Sequence, residues 1–375
     1  MRIALINHLY EENGGYYSNL VLRSKEENLK DIINTLREGR IFDKIILQTN
    51  KRERYKNLRE IIVEDTSNIG NFGERIEWVF SRFKGCSLFY TGSGSSVFLR
   101  PDDIKRYLSH LKRDSIIANN LYSADYFFIY TSKKRLNIRD IKTDNTLPKI
   151  LIERNGFYGI EIRRDEFSLF DIDGPLDLLA LKISEKGGVH LRKFLSITRL
   201  SNKNLKRALR NFTERDAEVL FWGRISEFLI QFLRYRTACR TKFVVEGRGL
   251  VSQGGKGFYS IFFDAFNRVN KRFLFEKLPY YCDALFLDSR ILFAHSQIVV
   301  NKEDRYALDM LDYKRIFDTN IKNLCKMALS SEIPVLFCNH SFLNSGIPLL
   351  IDYEWRRKGY RTSKFGNGII KEIFP

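Results

Sequence analysis

The stretch from Gly85 to Asp125, GCSLFYTGSGSSVFLRPDDIKRYLSHLKRDSIIANNLYSAD, decides the predicted fold. Its first apolar run, residues 86–90, is short, aromatic and bounded by turn residues, which predicts a buried strand. A loop of small residues follows, and its backbone N–H groups would be able to approach a ligand closely. The loop positions of interest are Gly92, Ser93, Gly94 and Ser95.

A second apolar run, residues 116–118, ends in Asn119 and Asn120 and predicts a neighbouring strand. Between the two runs, Pro101 begins a segment whose apolar residues recur at helical spacing. Ligands of open α/β sheets bind outside the carboxyl ends of the strands. We therefore expect the small-residue loop, Asn119, Asn120 and Asp125 to bind a substrate or nucleotide.

The remainder of the first half alternates short apolar runs with amphipathic segments. Runs at residues 2–6, 44–47 and 59–63 predict strands, and the segments between them have helical spacing. This alternation is typical of an α/β fold with a doubly wound, mostly parallel sheet. The aromatic segment 122–130 predicts a further strand, for which an edge position is one alternative.

Composition limits the class of protein and of partner. The 375 residues suffice for two ordinary domains, and 44% hydrophobic residues exclude a disordered chain. The formal net charge of +18 favours an anionic partner, such as a nucleotide or a phosphorylated small molecule. Nucleic acid is a less favoured partner, because no dense basic block occurs and the aromatic residues fall mostly at core periodicity.

Cysteine usage and hydropathy bear on the cellular setting. The five cysteines are widely spaced and form no Cys-x-x-Cys pair, so neither a zinc knuckle nor a disulfide framework is indicated. Residues 1–7 predict a strand instead of a secretory signal. No apolar run approaches the about 18 residues that a membrane span needs. We expect a cytoplasmic protein without a membrane partner, and the sequence leaves its oligomeric state open.

Two alternating aspartates, Asp171 and Asp173, stand in the string FDIDGPLDLLAL of residues 170–181. Asp173 lies two residues before Pro175, as expected of a helix N-cap with proline in the first helical turn. This structural role accounts for Asp173 well and for Asp171 less well.

The same string resembles the D-x-D-T-P-x-D-L segment that closes the nucleotidyltransferase-like GT-A fold. This nucleotide-diphospho-sugar transferase-like family includes the molybdenum-cofactor and phospholactate guanylyltransferases. The stretch LFYTGSGSSVFLRPDDI, residues 88–104, is similar to the family's central strand and the T-P-E-D-I motif that follows it. The resemblance covers about residues 1–185. The resemblance implies nucleotidyl transfer with Mg²⁺ or Mn²⁺. It also implies a metal-binding and catalytic role for Asp171 and Asp173.

This chain departs from the family pattern at two places. Counted back from Pro101, Ser95 stands where the family has a metal-binding aspartate, and serine is a poor ligand for Mg²⁺. The first loop, residues 7–18, lacks the family's basic phosphate-binding signature, although Lys25 lies nearby in sequence. Two outcomes follow: an active nucleotidyltransferase, or a degenerate transferase fold that acts as a binding module.

The second half, residues 186–375, predicts a separate α/β domain. Helices are expected at residues 201–210 and 214–236, where apolar residues form a wide face. Three later apolar runs each end in polar residues, which predicts a second parallel layer with these groups at one edge. The candidate catalytic residues are Glu246, Asp288 and His340, and the candidate anion-binding residues are Arg248 and Arg290.

Hydrolase or phosphoesterase chemistry at Glu246, Asp288 and His340 is the alternative function. The glycine run at residues 247–257 lacks the G-x-x-x-x-G-K-[ST] order of a P-loop. No Gly-x-Ser-x-Gly nucleophile elbow occurs either. Arg154 and Asn155, in a polar string after the first family-like segment, complete the set of candidate substrate-binding residues.

Overall fold

The computed structural model describes residues 1–11, 14–68, 70–133, 135–247, 260, 264, 268, 271–296 and 298–360. The chain divides into two compact units. The first unit comprises Met1–Asp173 and Gly187–Thr198, and the second comprises Gly174–Lys186 and Arg199–Pro375.

The first unit is built on a seven-stranded sheet with the order β3-β2-β1-β4-β6-β5-β7. All of its strand pairs are parallel except those that β6 makes. The prediction of a doubly wound, mostly parallel α/β sheet is therefore confirmed. The strands are β1 Arg2–Asn7, β2 Lys44–Thr49, β3 Ile61–Asp65, β4 Ser87–Gly92, β5 Ser115–Ala118, β6 Tyr126–Tyr130 and β7 Tyr158–Glu161.

Helices cover both faces of this sheet, which is why its central strands are continuous apolar runs. In β1, Ile3 and Leu5 belong to one buried cluster, whereas Ala4 and Ile6 belong to a second cluster. Strands that are buried on both faces have this pattern in parallel sheets. The helices are α1 Tyr16–Gly39, α2 Phe72–Arg82, α3 Pro101–His110, α4 Leu147–Asn155 and α6 Val189–Ile197, with α5 Pro175–Ser184 belonging to the second unit.

Strand β6 is interior, so the edge position considered for the segment 122–130 is wrong. It pairs with β4 on one side and with β5 on the other, antiparallel to both. The aromatic residues explain this position, because Phe127 stacks on Tyr90 at 4.7 Å and Phe128 stacks on Phe89 at 4.7 Å. Such pairs stabilise a central strand on both of its faces.

The second unit contains a four-stranded sheet with the order β11-β10-β8-β9, in which all pairs are parallel. Its strands are β8 Glu218–Gly223, β9 Arg240–Val245, β10 Ala284–Asp288 and β11 Val335–Cys338. The predicted second parallel layer is confirmed. The described helices are α7 Lys203–Asn211, α8 Glu227–Arg236, α9 Lys271–Lys277, α10 Ser289–His295, α11 Lys302–Asp309, α12 Thr319–Ser330 and α13 Ile347–Arg357.

The predicted helix at residues 214–236 is wrong in its first half, which forms β8. The run from Val219 to Phe221 is buried on both faces between β9 and β10. Phe221 also stacks on Phe286 of β10 at 5.0 Å. A short run that is apolar throughout lacks the alternation typical of a strand. It therefore cannot be distinguished by periodicity from the helical pattern that follows it.

The predicted N-cap at Asp173 is also wrong. The N-cap residue of α5 is Gly174, and the Asp177 carboxylate accepts its N–H at 2.7 Å. Asp173 lies one residue before the N-cap. The carboxylate that accepts the N-cap N–H is that of Asp177, at the third position of the helix. Among the described residues, no helix is long and apolar enough to cross a membrane.

Candidate functional site

The candidate site of the first unit lies at the carboxyl edge of its sheet, where the strand order reverses. Strands β1 and β4 are neighbours, and the connections that leave them run to opposite sides of the sheet. Asn7, which ends β1, pairs with Gly92, which ends β4. The loop that follows Gly92 therefore emerges at the switch point, where open α/β sheets bind ligands.

Lys25 and Asp171 meet over Gly94 in this loop. A methyl group built at Gly94 would lie 2.9 Å from Lys25 Cε, 3.1 Å from Lys25 Nζ and 3.1 Å from Asp171 Oδ1. The Ile172 N–H donates to the Gly94 carbonyl at 3.0 Å, which fixes the aspartate segment against the loop. Glycine thus leaves open the space between a cation and a carboxylate.

Asp171 lies close to one acidic group, Asp173, and to one basic group, Lys25. Burial is the main cause that raises the pKa of Asp171 to about 7, with a smaller contribution from the Asp173 carboxylate, and the Lys25 ammonium opposes the shift. Ser95 donates a hydrogen bond to the Asp171 carboxylate. The serine that replaces the family's aspartate is therefore a partner of Asp171. Adjacent carboxylates that cannot both ionise are frequent in functional sites.

Asp125 and Asn119 extend the cluster across the sheet. The Asn119 amide donates to Asp125 at 2.9 Å and to the Ser168 carbonyl at 3.1 Å, and its oxygen accepts the Asp125 N–H at 3.0 Å. Burial raises the pKa of Asp125 well above its usual range, and the Asp171 carboxylate adds to the shift. The neighbouring Asn120 has a local role, because its side chain accepts the Tyr122 N–H at 3.0 Å.

Two buried polar residues that the sequence patterns did not single out hold the loop in place. Asn28, on α1, is 1% exposed and donates to the carbonyls of Ser93 and Ser95 at 2.9 Å and 3.1 Å. His8, which directly follows β1, has Nδ1 2.7 Å from Ser93 Oγ. The available signals were a polar residue on the apolar face of a helix and a histidine at the end of the first strand.

The His8 ring is neutral at physiological pH. Burial lowers the pKa of His8 to about 4, and the charges of Lys25 and Arg54 contribute to the shift. Among the described residues, His8 Nε2 has no hydrogen-bond partner. An imidazole held in this way positions the Ser93 hydroxyl at the switch point and carries no charge of its own.

Arg154 and Asn155 lie at the other edge of the first sheet. They end α4, just before β7 begins, whereas Asn119 follows the end of the parallel strand β5. Arg154 forms an exposed ion pair with Asp140 at 2.7 Å, and Asn155 accepts the Asn137 N–H at 2.7 Å. The structure therefore does not bring these two predicted residues together with the Asp171 cluster.

The carboxylates of this cluster fit a divalent cation only if water and substrate phosphates supply its remaining ligands. Among the described residues, no three His, Cys, Asp or Glu side chains converge on a position where they would hold a metal ion. Mg²⁺ commonly binds one or two protein carboxylates and takes its other ligands from water and substrate phosphates. The paired carboxylates of Asp171 and Asp173 suit that arrangement, because a cation would relieve their mutual repulsion.

In the second unit, Asp288 is committed to a buried ion pair. Its carboxylate is fully buried and accepts from Arg224 Nε at 2.6 Å and from Arg224 Nη2 at 3.2 Å. It also accepts the Arg290 N–H at 3.1 Å at the start of α10. A carboxylate held in this way stabilises and orients its partners, so Asp288 is poorly placed to act as a general base.

The other predicted residues of this unit follow neighbouring strands at the same edge. Glu246 follows β9 and accepts from Trp222 Nε1 at 3.1 Å and from Ser260 Oγ at 2.5 Å. His340 follows β11, and its carbonyl accepts from the Asn344 amide at 2.8 Å. Arg248 lies outside the described residues. Hydrolytic chemistry at these positions stays a prediction.

The fold is that of an α/β protein with a polar cluster at a sheet edge, and comparison with known proteins gives only distant likenesses to it. No family model matches the chain, and no curated protein matches it. Among solved structures, it is similar to the bifunctional IspDF from Campylobacter jejuni, with 13% sequence identity and a TM-score of 0.32. The match covers 45% of this chain and 51% of the other. The chain thus spans about half the length of that structure.

Proposed function

We propose that the first unit binds a nucleotide or another phosphorylated small molecule at the switch point, and that it catalyses nucleotidyl transfer with Mg²⁺ or Mn²⁺. The observation that carries this proposal is the meeting of Lys25 and Asp171 over Gly94. A methyl group added to Gly94 would lie 3.1 Å from Lys25 Nζ and 3.1 Å from Asp171 Oδ1. A cation and a carboxylate side by side are what a phosphate with its accompanying metal requires.

Lys25 would neutralise the ligand's phosphate. Its ammonium group is a compact charge with three donors on a flexible stem, and it lies beside a loop that carries no bulky side chain. The overall charge of +18 attracts such anions over longer distances. In the reaction, Lys25 would stabilise the negative charge that develops on the transferred phosphoryl group.

Asp171 and Asp173 would hold the divalent cation together with the phosphate oxygens. The bound metal would supply neutralisation of phosphate charge and alignment of the reacting groups. Ser95 holds the Asp171 carboxylate by a hydrogen bond, and Asn119 holds Asp125 at 2.9 Å. These contacts fix the carboxylates before the ligand arrives, so little reorganisation is needed on binding.

A thermal-denaturation screen of nucleoside triphosphates and phosphorylated metabolites, each with and without Mg²⁺ or Mn²⁺, tests the proposal. Ligands that bind only the native state raise its melting temperature. We expect a metal-dependent shift with at least one nucleotide, and we expect Lys25→Ala to reduce it strongly.

Lys30→Ala is the matched control, since Lys30 lies on the same helix and pairs with Glu27 at 2.7 Å on an exposed face. It should leave the shift unchanged. The absence of a shift with every nucleotide, with and without metal, would contradict nucleotide binding by the first unit.

A non-catalytic binding module is the second candidate, and the position of Ser95 favours it. Ser95 provides a hydroxyl that is engaged with Asp171, where the family pattern provides a further metal-binding carboxylate. This candidate predicts binding without turnover. An assay for pyrophosphate release from the bound nucleoside triphosphate, with phosphorylated metabolites present as acceptors, separates the two, because only the transferase moves the nucleotidyl group to an acceptor oxygen and releases pyrophosphate.

A further inference from the structure

The second unit has a switch point of its own. In the order β11-β10-β8-β9, the chain leaves β8 toward β9 on one side and later returns to β10 on the other. The carboxyl ends of β8 and β10 are therefore neighbours from which the chain departs in opposite directions. This arrangement creates a crevice at the edge of a parallel sheet.

The two strand ends approach each other unusually closely. Gly223, at the end of β8, has a φ of +139°, and a methyl group built there would lie 2.2 Å from Asp288 Cβ. Any other residue would be strained in this backbone conformation and would clash with β10. Glycine is therefore required for Asp288 to reach the residue that follows, Arg224.

Arg224 is held in one orientation by Asp288. The bonds from Nε and Nη2 to the two carboxylate oxygens, at 2.6 Å and 3.2 Å, engage one side of the guanidinium group. A guanidinium has five N–H donors in one plane. The pairing with Asp288 uses Nε and one hydrogen of Nη2, so the end-on edge, formed by Nη1 and the second hydrogen of Nη2, takes no part in it. Among the described residues, Arg224 Nη1 makes no hydrogen bond, and the side chain is 21% exposed.

Further positive charge surrounds the same strand ends. Arg290 follows Asp288 on α10, and the charges of Arg290 and Arg305 both act on the buried carboxyl of Asp309. The Ser289 hydroxyl lies 3.4 Å from Asp309 Oδ1. Three arginines thus stand near two buried acidic groups, and the remaining positive charge favours an anion.

We propose that this crevice binds the phosphate group of a small phosphorylated molecule, with the end-on edge of Arg224 as its principal contact. Paired N–H donors in a plane match two oxygens of one phosphate. Asp288 acts as the positioning residue that presents this edge. The site is separate from that of the first unit and does not depend on the function proposed there.

Titration of inorganic phosphate at constant ionic strength, with chloride as the exchanged ion, tests this site. The readout is the denaturation midpoint of the second unit. It is monitored by the fluorescence of Trp222 and Trp355 in protein that carries Trp78→Phe. A Lys25→Ala background removes the phosphate site proposed for the first unit. We expect a saturable rise in the midpoint that chloride does not reproduce.

The informative variant is Arg224→Gln combined with Asp288→Asn, because it removes both charges and leaves no buried carboxylate unpaired. It should weaken phosphate binding by about tenfold or more. The matched control is Arg240→Gln. Arg240 begins β9 at the opposite edge of the same sheet and also pairs with a carboxylate, Glu218 at 3.1 Å. Its replacement should leave phosphate binding unchanged.

Three results would overturn the proposal. The first is a midpoint that responds to phosphate no more than to chloride. The second is an unaltered phosphate affinity in the double variant at positions 224 and 288. The third is loss of the entire phosphate response through Lys25→Ala alone, which would place the only binding in the first unit and would leave the function proposed for that unit intact.

Discussion

Replacement of Asp309 by asparagine should remove a pH-dependent destabilisation of the second unit. Asp309 is 2% exposed, and burial raises its pKa from 3.8 to about 7 despite the nearby charges of Arg290 and Arg305. In the unfolded chain this carboxyl loses its proton near pH 4, whereas the folded chain keeps the proton until about pH 7. The folded state therefore loses stability as the pH rises through this window.

The magnitude follows from the size of the shift. Each pKa unit corresponds to about 1.4 kcal/mol, so the full shift amounts to about 4 kcal/mol above pH 7 as an upper bound. Asparagine has nearly the same shape and never ionises, and its oxygen can still accept from Ser289. We expect wild type and Asp309→Asn to be equally stable near pH 4, and the variant to be more stable by up to about 4 kcal/mol near pH 8.

Urea denaturation across this pH range measures the difference, with Trp222 and Trp355 as reporters and Trp78→Phe in the background. Glu218→Gln is a control of opposite sign, because a hydrogen bond from Lys242 lowers the pKa of Glu218. Its contribution is present at high pH and is lost as the pH falls, so this variant should lose stability near neutral pH. An Asp309→Asn profile parallel to that of wild type from acid to alkaline pH would refute the reasoning.

Three further predictions concern the first unit. Gly94→Val should weaken nucleotide binding about tenfold or more while the protein still folds, since even its Cβ would lie 2.9 Å from Lys25 Cε; an unchanged thermal shift by the nucleotide would contradict it. His8→Asn should abolish a loss of stability on acidification. In the folded protein the pKa of His8 is lowered to about 4, so the contribution of neutral His8 to stability is complete above about pH 6.5 and is lost as the pH falls through 4. Urea denaturation followed by Trp78 fluorescence measures this, and an acid profile equal to that of wild type would count against it. Asn71→Ala should cost about 1 kcal/mol, because it removes the capping box of α2; the same assay tests it, and an unchanged midpoint would disprove it.

Much of the fold could be predicted because the local pattern and the tertiary structure agree. The short runs at residues 86–90 and 116–118 are strands β4 and β5, and the glycine-serine loop emerges where the strand order predicts a ligand site. In the second half, the apolar runs that end at Asp288 and Cys338 are parallel neighbours, as expected. Each of these elements is short, strongly apolar and bounded by turn residues.

The errors arose where one pattern fits two structures. The apolar run of β8 continues into the spacing of α8, so no periodicity marks the end of the strand at Gly223. The sequence leaves an edge position open for β6, because neither its antiparallel direction nor its two partners can be deduced from its own residues. Pairing of β6 with both β4 and β5 depends on the tertiary structure.

The candidate site was only partly predictable, because its groups come from distant parts of the chain. The sequence patterns single out Asp171 and Ser95, but they do not predict the hydrogen bond between the two side chains. In the sequence Lys25 is only a basic residue near the first loop, and its approach to Asp171 requires α1 to pack beside the loop after β4. Asn28 stands on the apolar face of α1, which indicates burial, but this signal does not show which groups its amide contacts.

The most direct test of the central claim is a calorimetric titration of the nucleotide identified by the screen, with and without Mg²⁺, into wild type and Asp171→Asn. If Lys25, Gly94 and Asp171 form a site for a metal-bound phosphate, wild type binds the nucleotide more tightly with Mg²⁺. The variant should then bind about tenfold more weakly and should lose its dependence on the metal. Equal affinity and equal metal dependence in the two proteins would contradict the claim.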